Sequence, residues 1–399
     1  MNRPMLALAA FVLSGCATPQ AAAPVLPNGA SIDAEAARAM AASGAQGMAI
    51  AVIDEGQIVY VNAYGARNAA NAPLQTDTIM YGASLTKAVF AYMVMQLVEE
   101  GVIDLDTTID HYLPQPLPDY RDPSVEDLYA RWSDLAGDER WRRLTPGILL
   151  THSSGFANFG FLEPDGRLRF HFDPGARYSY SGDGIILLQF VLERGLGLDV
   201  GLEMQRRVFE PFAMSNTSLI WRADFAGNLA DGWGLDGATE PHDERSAVRA
   251  AGSMDTTIAD FARFAAAFVR GDGLSPAARA EMIRPGLAIT VASQFPVLQP
   301  DLPIHTRRAD LAASIGLIVF AGPQGRAFIR GGHNDTTGNI WVCIEARRRC
   351  VVILSNDVRA ELEFPRIVAF ILGDTEAPWE FLYGPAPSQP SAQASLRPN

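Results

Sequence analysis

Apolar residues fall into two kinds of run along this chain. Two short runs, 47–54 and 57–64, flank a Glu-Gly pair and are rich in β-branched residues, which predicts a β-hairpin. From 84 to about 101 the chain is apolar on nearly every side, which predicts a long buried helix. Helical spacing returns at 185–193, 200–209 and 257–270. The last of these opens with Thr257 and Asp260, the spacing of a capping box.

In the C-terminal third of the chain the spacing of apolar residues changes from helical to strand-like. Strands are predicted at 311–321, 326–331, 338–344 and 350–354, followed by a closing helix at 362–372. Strands near both ends with helices between them indicate that one sheet is assembled from the two ends of the chain. We therefore expect an α+β fold, with an antiparallel sheet, flanking helices and an inserted helical region.

Three segments depart from this regular pattern. Residues 114–145, rich in Pro, Asp, Arg and Trp, are predicted to be an irregular insertion or a lid. Residues 17–30 are rich in Ala and Pro and are typical of a flexible tether, and 375–399 are typical of a disordered tail. Between them, residues 31–374 are expected to form one folded domain.

The composition is that of a globular protein. Of the 399 residues, 48% are hydrophobic and 19% are charged, which excludes an intrinsically disordered chain. The formal net charge of -13 argues against a nucleic-acid partner, because a phosphate-binding surface would have to form against that field. The six His residues are scattered and no Cys-x-x-Cys or His-Glu-x-x-His pattern occurs, which argues against a metal site.

The N-terminus, residues 1–16, resembles a bacterial lipoprotein signal. Arg3 precedes an apolar run of about ten residues, half of the roughly 20 that a membrane-spanning helix needs. Leu13-Ser14-Gly15-Cys16 then resembles a lipobox, in which Cys16 is lipidated and becomes the mature N-terminus. The alternative is an ordinary cleaved signal peptide with an incidental cysteine. Either way we expect export to the periplasm of the bacterial cell envelope, and the lipobox adds a lipid anchor, expected in the outer membrane.

The two other cysteines, Cys343 and Cys350, lie in apolar runs on either side of three arginines at 347–349. This pattern predicts a hairpin with the two cysteines opposite each other, and an oxidising compartment would permit a disulfide there. Two buried free thiols are the alternative, because the register of the strands decides whether the side chains meet.

Lys87 is the single lysine of the chain, beside 31 arginines. Arginine cannot lose its proton in a protein, whereas a buried lysine can serve as a neutral base. Lys87 follows Ser84 by one helical turn, so the two side chains share a face at the helix start. This spacing suits a nucleophile with its base, and the N–H groups of the helix start suit an oxyanion site. The alternative is a capping serine and a lysine that reaches solvent, but apolar residues follow Lys87 at once.

Tyr-Gly-Ala-Ser-Leu-Thr-Lys-Ala at 81–88 resembles the first motif of the penicillin-recognising serine hydrolases. That family includes class C β-lactamases, D-alanyl-D-alanine carboxypeptidases, D-aminopeptidases and family VIII esterases. Further matches lie at 97–106, 149–155 and 204–211, so the resemblance runs from about residue 35 to 373. It implies the β-lactamase/transpeptidase-like fold.

The family's second motif, Tyr-x-Asn, matches Tyr180-x-Gly182. The resemblance implies that Tyr180 exchanges protons with Ser84 and Lys87, a role that needs a cation near the phenol. Gly182 replaces the Asn that holds the lysine and the substrate amide in the family, which counts against amide or lactam recognition. Tyr178 is a competing tyrosine, but its spacing fits a flanking aromatic better.

The third motif, Lys-Thr-Gly or His-x-Gly on an edge strand, aligns in two ways. One alignment begins at His333 and loses the glycine, whereas Arg330-Gly331-Gly332 keeps it, and we prefer the second. It implies that Arg330 meets a substrate carboxylate and that Gly332 lets the backbone pass close to the substrate. The N–H of His333 would join that of Ser84 in holding the oxyanion. A strand histidine without a role is the alternative for His333.

A second serine and histidine pairing occurs in the 149–155 segment. His152 lies next to Ser153 and Ser154, but neighbours in sequence rarely face each other, and the chain has no Gly-x-Ser-x-Gly elbow. The segment is therefore interpreted as structural.

The sequence thus predicts an exported serine hydrolase that forms an acyl-enzyme on an ester, a D-amino-acid amide or a β-lactam, with no cofactor. We expect a small-molecule or peptidoglycan-derived substrate and attachment to a membrane through the lipid. The alternative is a catalytically silent lipoprotein of the same fold that binds muropeptide or a partner protein.

Overall fold

The computed structural model describes residues 24–384, and a large antiparallel sheet organises them. The strands are β1 (Gly47–Asp54), β2 (Gln57–Gly65), β3 (Met80–Tyr81), β4 (Gly232–Trp233), β5 (Thr239–Glu240), β6 (Asp255–Thr256), β7 (Leu287–Ala288), β8 (Ala312–Ala313), β9 (Ile318–Gly322), β10 (Gly325–His333), β11 (Gly338–Ile344) and β12 (Arg349–Ser355). Eight of them form one sheet in the order β2-β1-β12-β11-β10-β9-β8-β7, and β3 with β6 and β4 with β5 form two short pairs.

Helices cover both faces of this sheet. They are α1 (Gly29–Ser43), α2 (Leu85–Glu99), α3 (Pro123–Leu128), α4 (Pro146–Leu150), α5 (Gly182–Phe190), α6 (Val200–Met204), α7 (Ile258–Arg270), α8 (Pro276–Met282), α9 (Phe364–Leu372) and α10 (Trp379–Tyr383). Helices α5 and α6 continue into π-helical turns. The predicted cap of α7 is confirmed, because the Thr257 side chain accepts from the Asp260 N–H at 3.0 Å.

The sheet joins the two ends of the chain, as the strand pattern predicts. β1 pairs with β2 on one side and with β12 on the other, so that Met48 lies opposite both Tyr64 and Ser355. The α+β plan is therefore confirmed. The strand expected at 311–321 is broken into β8 and β9, because Gly316 turns the chain there with a φ of +73°.

Two apolar cores lie on opposite faces of the sheet. Helices α2, α5 and α7 pack on one face, and α1 and α9 pack on the other. Twelve of the 15 residues of α2 are buried, which confirms the predicted buried helix. Helix α2 therefore presents its N-terminal turn to the sheet in a fixed position.

The ordered domain is longer than 31–374 at both ends. Asn28 caps α1, and Arg349 Nη1 donates to the Pro24 carbonyl oxygen at 2.6 Å, so residues 24–30 are not a tether. Helix α10, with Phe381 and Leu382 buried, lies within the segment predicted as a tail, because these apolar side chains extend the core.

Several predictions about the chain ends concern residues that are not described. The signal sequence with Cys16 and residues 17–23 lie outside the described residues, as do 385–399. Between 24 and 384, no helix is long and apolar enough to cross a membrane.

The irregular 114–145 segment is a packed part of the helical region. Trp132 and Trp141 are 0% and 2% exposed, and Tyr120, Tyr129 and Trp132 surround the ring of Phe190 in α5 at 4.8 to 5.6 Å between centroids. This burial contradicts a mobile lid, because opening the segment would expose large aromatic side chains.

Cys343 and Cys350 are joined by a disulfide. The register of β11 and β12 places the two residues directly opposite each other, as the hairpin pattern predicts. The register therefore decides between the two alternatives that the sequence leaves open.

Candidate active site

Ser84 stands at the turn from which α2 starts. Ala83 adopts a φ of +46°, which is unusual for a residue with a Cβ and makes the turn sharp. Strand β10 passes close to this turn, since a Cβ on Gly332 would lie 2.6 Å from the Gly82 carbonyl oxygen. Gly332 therefore permits a close approach, as expected, but to the backbone of the serine turn. Ser84 itself remains partly exposed, so its hydroxyl can meet a substrate.

Lys87 is buried directly beneath the serine. It is 2% exposed, and its Nζ donates to Ser84 Oγ at 2.9 Å and to the Ala251 carbonyl oxygen. Burial lowers the pKa of Lys87 to about 8, the Tyr180 hydroxyl opposes this shift, and the cation of Arg330 adds to it. A large fraction of the amine is therefore neutral near pH 8 and can accept a proton.

Tyr180 completes a group of three. Its hydroxyl lies 2.6 Å from Ser84 Oγ, and Lys87 Nζ lies 4.9 Å from the centroid of its ring. Burial alone would raise the pKa of Tyr180, but the cations of Lys87 and Arg330 outweigh it and lower the pKa to about 8. The structure thus brings together the three residues that the first two motifs single out.

Arg330 lies in this cluster, but not in the role expected for it. It is 2% exposed, donates through Nε to the Ser84 carbonyl oxygen at 3.2 Å and through Nη2 to the Tyr180 hydroxyl at 3.5 Å. A guanidinium that is buried and engaged in this way is not available to a substrate carboxylate at the surface. Its charge acts on the phenol and the amine, so the predicted carboxylate contact is corrected to an electrostatic role.

His333 is the last residue of β10, beside the serine turn. Strand β9 pairs with β10 only as far as Ile329, so among the described strands the end of β10 has β11 as its single neighbour. The imidazole is half-exposed, and its Nδ1 lies 3.3 Å from Glu361 Oε2. This carboxylate raises the pKa of His333, whereas burial raises the pKa of Glu361.

His152, whose segment the sequence analysis interprets as structural, contacts the group formed by Ser84, Lys87 and Tyr180. Its ring stacks on Tyr180 with 4.5 Å between centroids, and its Nδ1 accepts from the Ser181 N–H at 3.2 Å. Burial, and then the cations of Arg330 and Lys87, hold the pKa of His152 well below its usual value. We therefore assign His152 as a positioning residue for the Tyr180 ring. No signal in the sequence pairs it with Tyr180, because the contact is made by tertiary packing.

The competing tyrosine lies elsewhere. The Tyr178 hydroxyl donates to Gln294 Oε1 at 3.2 Å, and its ring packs on Phe381 at 5.7 Å. These contacts agree with its interpretation as a flanking aromatic. Gly182 begins α5 two residues after Tyr180, and a Cβ there would lie 2.3 Å from the ring of Phe159.

Comparison with known proteins gives relatives that include an esterase and a carboxypeptidase. The chain is 28% identical over 204 residues to a lovastatin esterase of Penicillium rubens, covering 44% of this chain and 50% of that protein. It is 24% identical over 339 residues to the D-alanyl-D-alanine-carboxypeptidase/endopeptidase AmpH of Escherichia coli, covering 82% and 83% of the two chains. The chain spans about half the length of several of the curated relatives it matches.

The fold and a family profile agree with these relatives. The octameric penicillin-binding protein homologue from Pyrococcus abyssi superposes with a TM-score of 0.69 at 19% identity, covering 89% of this chain and 79% of that one. At that identity the likeness shows the fold alone. The Beta-lactamase family profile matches residues 32–371, which is most of the chain. The chain therefore belongs to the Beta-lactamase family.

Proposed function

We propose that this chain is a serine hydrolase in which Ser84 forms an acyl-enzyme. The observation that carries the proposal is the position of Ser84 Oγ, 2.9 Å from the Lys87 amine and 2.6 Å from the Tyr180 hydroxyl. Both partners are buried and both have pKa values near 8, so either can exchange a proton with the serine at ordinary pH. Family membership supports the same chemistry.

The proposed steps balance without a cofactor. In acylation, Oγ bonds to the carbonyl carbon while its proton passes to the buried phenol and amine pair. Collapse of the tetrahedral intermediate breaks the bond to the leaving group, which takes that proton. Water then attacks the acyl carbon, gives a proton to the same pair, and Ser84 recovers a proton as the carboxylic acid departs.

Backbone N–H groups of Ser84 and His333 are the proposed oxyanion donors. Ser84 stands at the start of α2, where N–H groups lack helical partners and the helix dipole favours negative charge. His333 ends β10 next to that turn, beyond the part of β10 that β9 covers. Two such donors typically contribute several kcal/mol to an acyl-transfer transition state, roughly 3 kcal/mol each.

Labelling of the nucleophile tests this proposal. Intact-mass spectrometry on residues 17–399, treated separately with a fluorophosphonate and a penicillin, is expected to show an adduct that Ser84→Ala abolishes. Ser124→Ala, an exposed serine of α3, is the matched control and should label like wild type. Lys87→Arg keeps the charge but cannot release its proton, so we expect about a hundredfold or greater loss of kcat/KM.

The rival function is a catalytically silent member that binds muropeptide or a partner protein. It is the conclusion to draw if wild type stays unlabelled by both reagents while its melting transition shows a folded protein. The buried amine beside Ser84 argues against it, because burial of Lys87 disfavours its charged form and costs stability, and a catalytic role accounts for a residue kept at that cost.

We also propose that the chain is exported to the periplasm and held at a membrane by lipid on Cys16. The support is the lipobox-like Leu13-Ser14-Gly15-Cys16 after a short apolar run. Cys16→Ala is expected to move the protein from the membrane fraction to the soluble fraction of lysed cells. An unchanged membrane fraction would contradict the lipid anchor.

A further inference from the structure

The ring of Phe159 occupies the place where a side chain at position 182 would be. A Cβ on Gly182 would lie 2.3 Å from both Cε1 and Cζ of this ring, closer than any real contact. The backbone cannot recede, because the Gly182 N–H donates to the Asn158 carbonyl oxygen at 2.8 Å and to its Oδ1 at 3.0 Å. An aromatic surface therefore stands two residues from Tyr180 where the second motif would place an amide.

This aromatic surface extends outward to solvent. Phe159 stacks on Phe161, with 5.1 Å between centroids and 14° between planes. Phe161 is 72% exposed and its neighbour Leu162 is 63% exposed. Large apolar side chains exposed side by side, and joined through Phe159 to the segment that carries Tyr180, have the character of a binding surface.

A third ring lies against Tyr180 itself. Phe295 meets the Tyr180 ring at 5.1 Å between centroids and is 39% exposed. Its loop is tied down on both sides, since the Gln294 N–H donates to the Phe381 carbonyl oxygen at 2.7 Å and Arg177 Nη2 donates to the Gln299 carbonyl oxygen at 3.0 Å. The ring is therefore a fixed part of the site.

We propose that Phe159, Phe161 and Phe295 form an acyl subsite, and that the substrate is an ester of an apolar carboxylic acid. The proposal rests on the proposed function, because the subsite would bind the acyl group that is transferred to Ser84. An apolar acyl chain of the substrate that extends past Tyr180 would leave water and contact these rings. An amide next to the scissile bond would meet Phe159 instead of a hydrogen-bonding partner, and a buried unpaired amide is unfavourable.

The chain-length profile of wild type is the first test. The substrates are p-nitrophenyl esters whose acyl chain lengthens from acetate to octanoate. Each methylene that leaves water should raise kcat/KM about fourfold until the subsite is filled. A profile that is flat or falls beyond acetate would overturn the proposal.

A matched pair of variants locates the effect. Phe159→Ala should flatten the chain-length profile, whereas Phe370→Ala, an exposed ring on α9, should leave the profile unchanged. Equal profiles in all three proteins would contradict the assignment of Phe159. Adding Gly182→Asn to Phe159→Ala restores the missing amide, and a gain in turnover of a chromogenic cephalosporin over wild type is expected.

The two proposals fail in different ways. If wild type neither hydrolyses the acetate ester nor labels at Ser84, the hydrolase proposal fails and the acyl subsite falls with it. If acetate is hydrolysed and the Ser84→Ala variant is inactive, but chain length has no effect, the subsite alone is overturned. Melting transitions of the variants exclude misfolding, and the wild-type profile is decisive by itself.

Discussion

At the scale of single residues, two opposite effects bring two groups to nearly the same pKa. Burial destabilises the charged amine of Lys87 and lowers its pKa, whereas neighbouring cations stabilise the phenolate of Tyr180 against the effect of burial. Both pKa values come to about 8, so that moving a proton between the two groups changes the free energy little. Ser84 lies within hydrogen-bond distance of both.

Arg330 sets part of this balance, which predicts a shift of the pH profile. Its charge lowers the pKa of both Tyr180 and Lys87, so Arg330→Met should raise both pKa values. The base then becomes deprotonated only at higher pH, and the rising limb of kcat/KM against pH moves in the alkaline direction. At pH 7, activity should fall about tenfold for each pH unit that the limb moves.

The charge-preserving variant is the control for Arg330. Arg330→Lys should move the limb less than Arg330→Met, because it retains a cation near Tyr180. Steady-state hydrolysis of p-nitrophenyl acetate over about pH 6 to 10 measures the rising limb of each variant. An equal loss of kcat at every pH, without movement of the limb, would assign Arg330 a purely structural role.

At the scale of elements, the hairpin of β11 and β12 is closed by its disulfide. The two cysteines face each other across the strands, seven residues apart in sequence. The hairpin lies at the centre of the sheet between β1 and β10, and so it supports the strand that ends at His333.

Loss of this disulfide should lower stability while leaving the catalytic geometry in place. Closing so short a loop removes only a modest amount of conformational entropy from the unfolded chain. We therefore expect a decrease of about 2 kcal/mol in the free energy of unfolding on reduction. Urea unfolding with and without reductant measures it. The double variant Cys343→Ala/Cys350→Ala should not respond to reductant, and a wild type that also fails to respond would contradict the prediction.

At the scale of the whole molecule, the chain ends hold the site together. The N-terminal hairpin completes the sheet beside β12, and α10 packs against Tyr178, two residues before Tyr180. Phe381 contacts Tyr178 through its ring and the Gln294 N–H through its carbonyl oxygen. The end of the described chain is thus connected to the loop that carries Phe295.

Truncation of the Phe381 ring tests this connection. Phe381 is 4% exposed, so Phe381→Ala should lower the free energy of unfolding by about 3 kcal/mol. It should also loosen the Phe295 loop and weaken the preference for long acyl chains. Phe370→Ala removes a ring that is 41% exposed and should lower the free energy of unfolding much less. Chemical denaturation of the two variants measures this difference. Equal stabilities would show that α10 is dispensable.

Much of the fold follows from local pattern. The β1–β2 hairpin, the buried helix α2, the cap at Thr257 and the C-terminal strands are fixed by spacing and turn residues over short stretches. The ends of the domain were less predictable, because a few apolar residues such as Phe381 and Leu382 become ordered only when a core is present to receive them.

The sequence by itself predicted the chemistry that we propose at Ser84. A serine and the chain's single lysine, one helical turn apart, indicate a nucleophile with its base, and the resemblance to the family's second motif points to Tyr180. These are relations along the chain or within a known motif, and they survive without coordinates.

Tertiary structure alone decided what surrounds that serine. The contacts of buried Arg330 with His152, the stacking of His152 on Tyr180 and the ring of Phe159 beside Gly182 join residues that are 23 or more positions apart in the chain. Such contacts depend on how strands and helices pack, so no local pattern encodes them. The proposed reacting groups can therefore be predicted from the sequence, whereas the charges around them and the rings of the proposed acyl subsite are placed by packing.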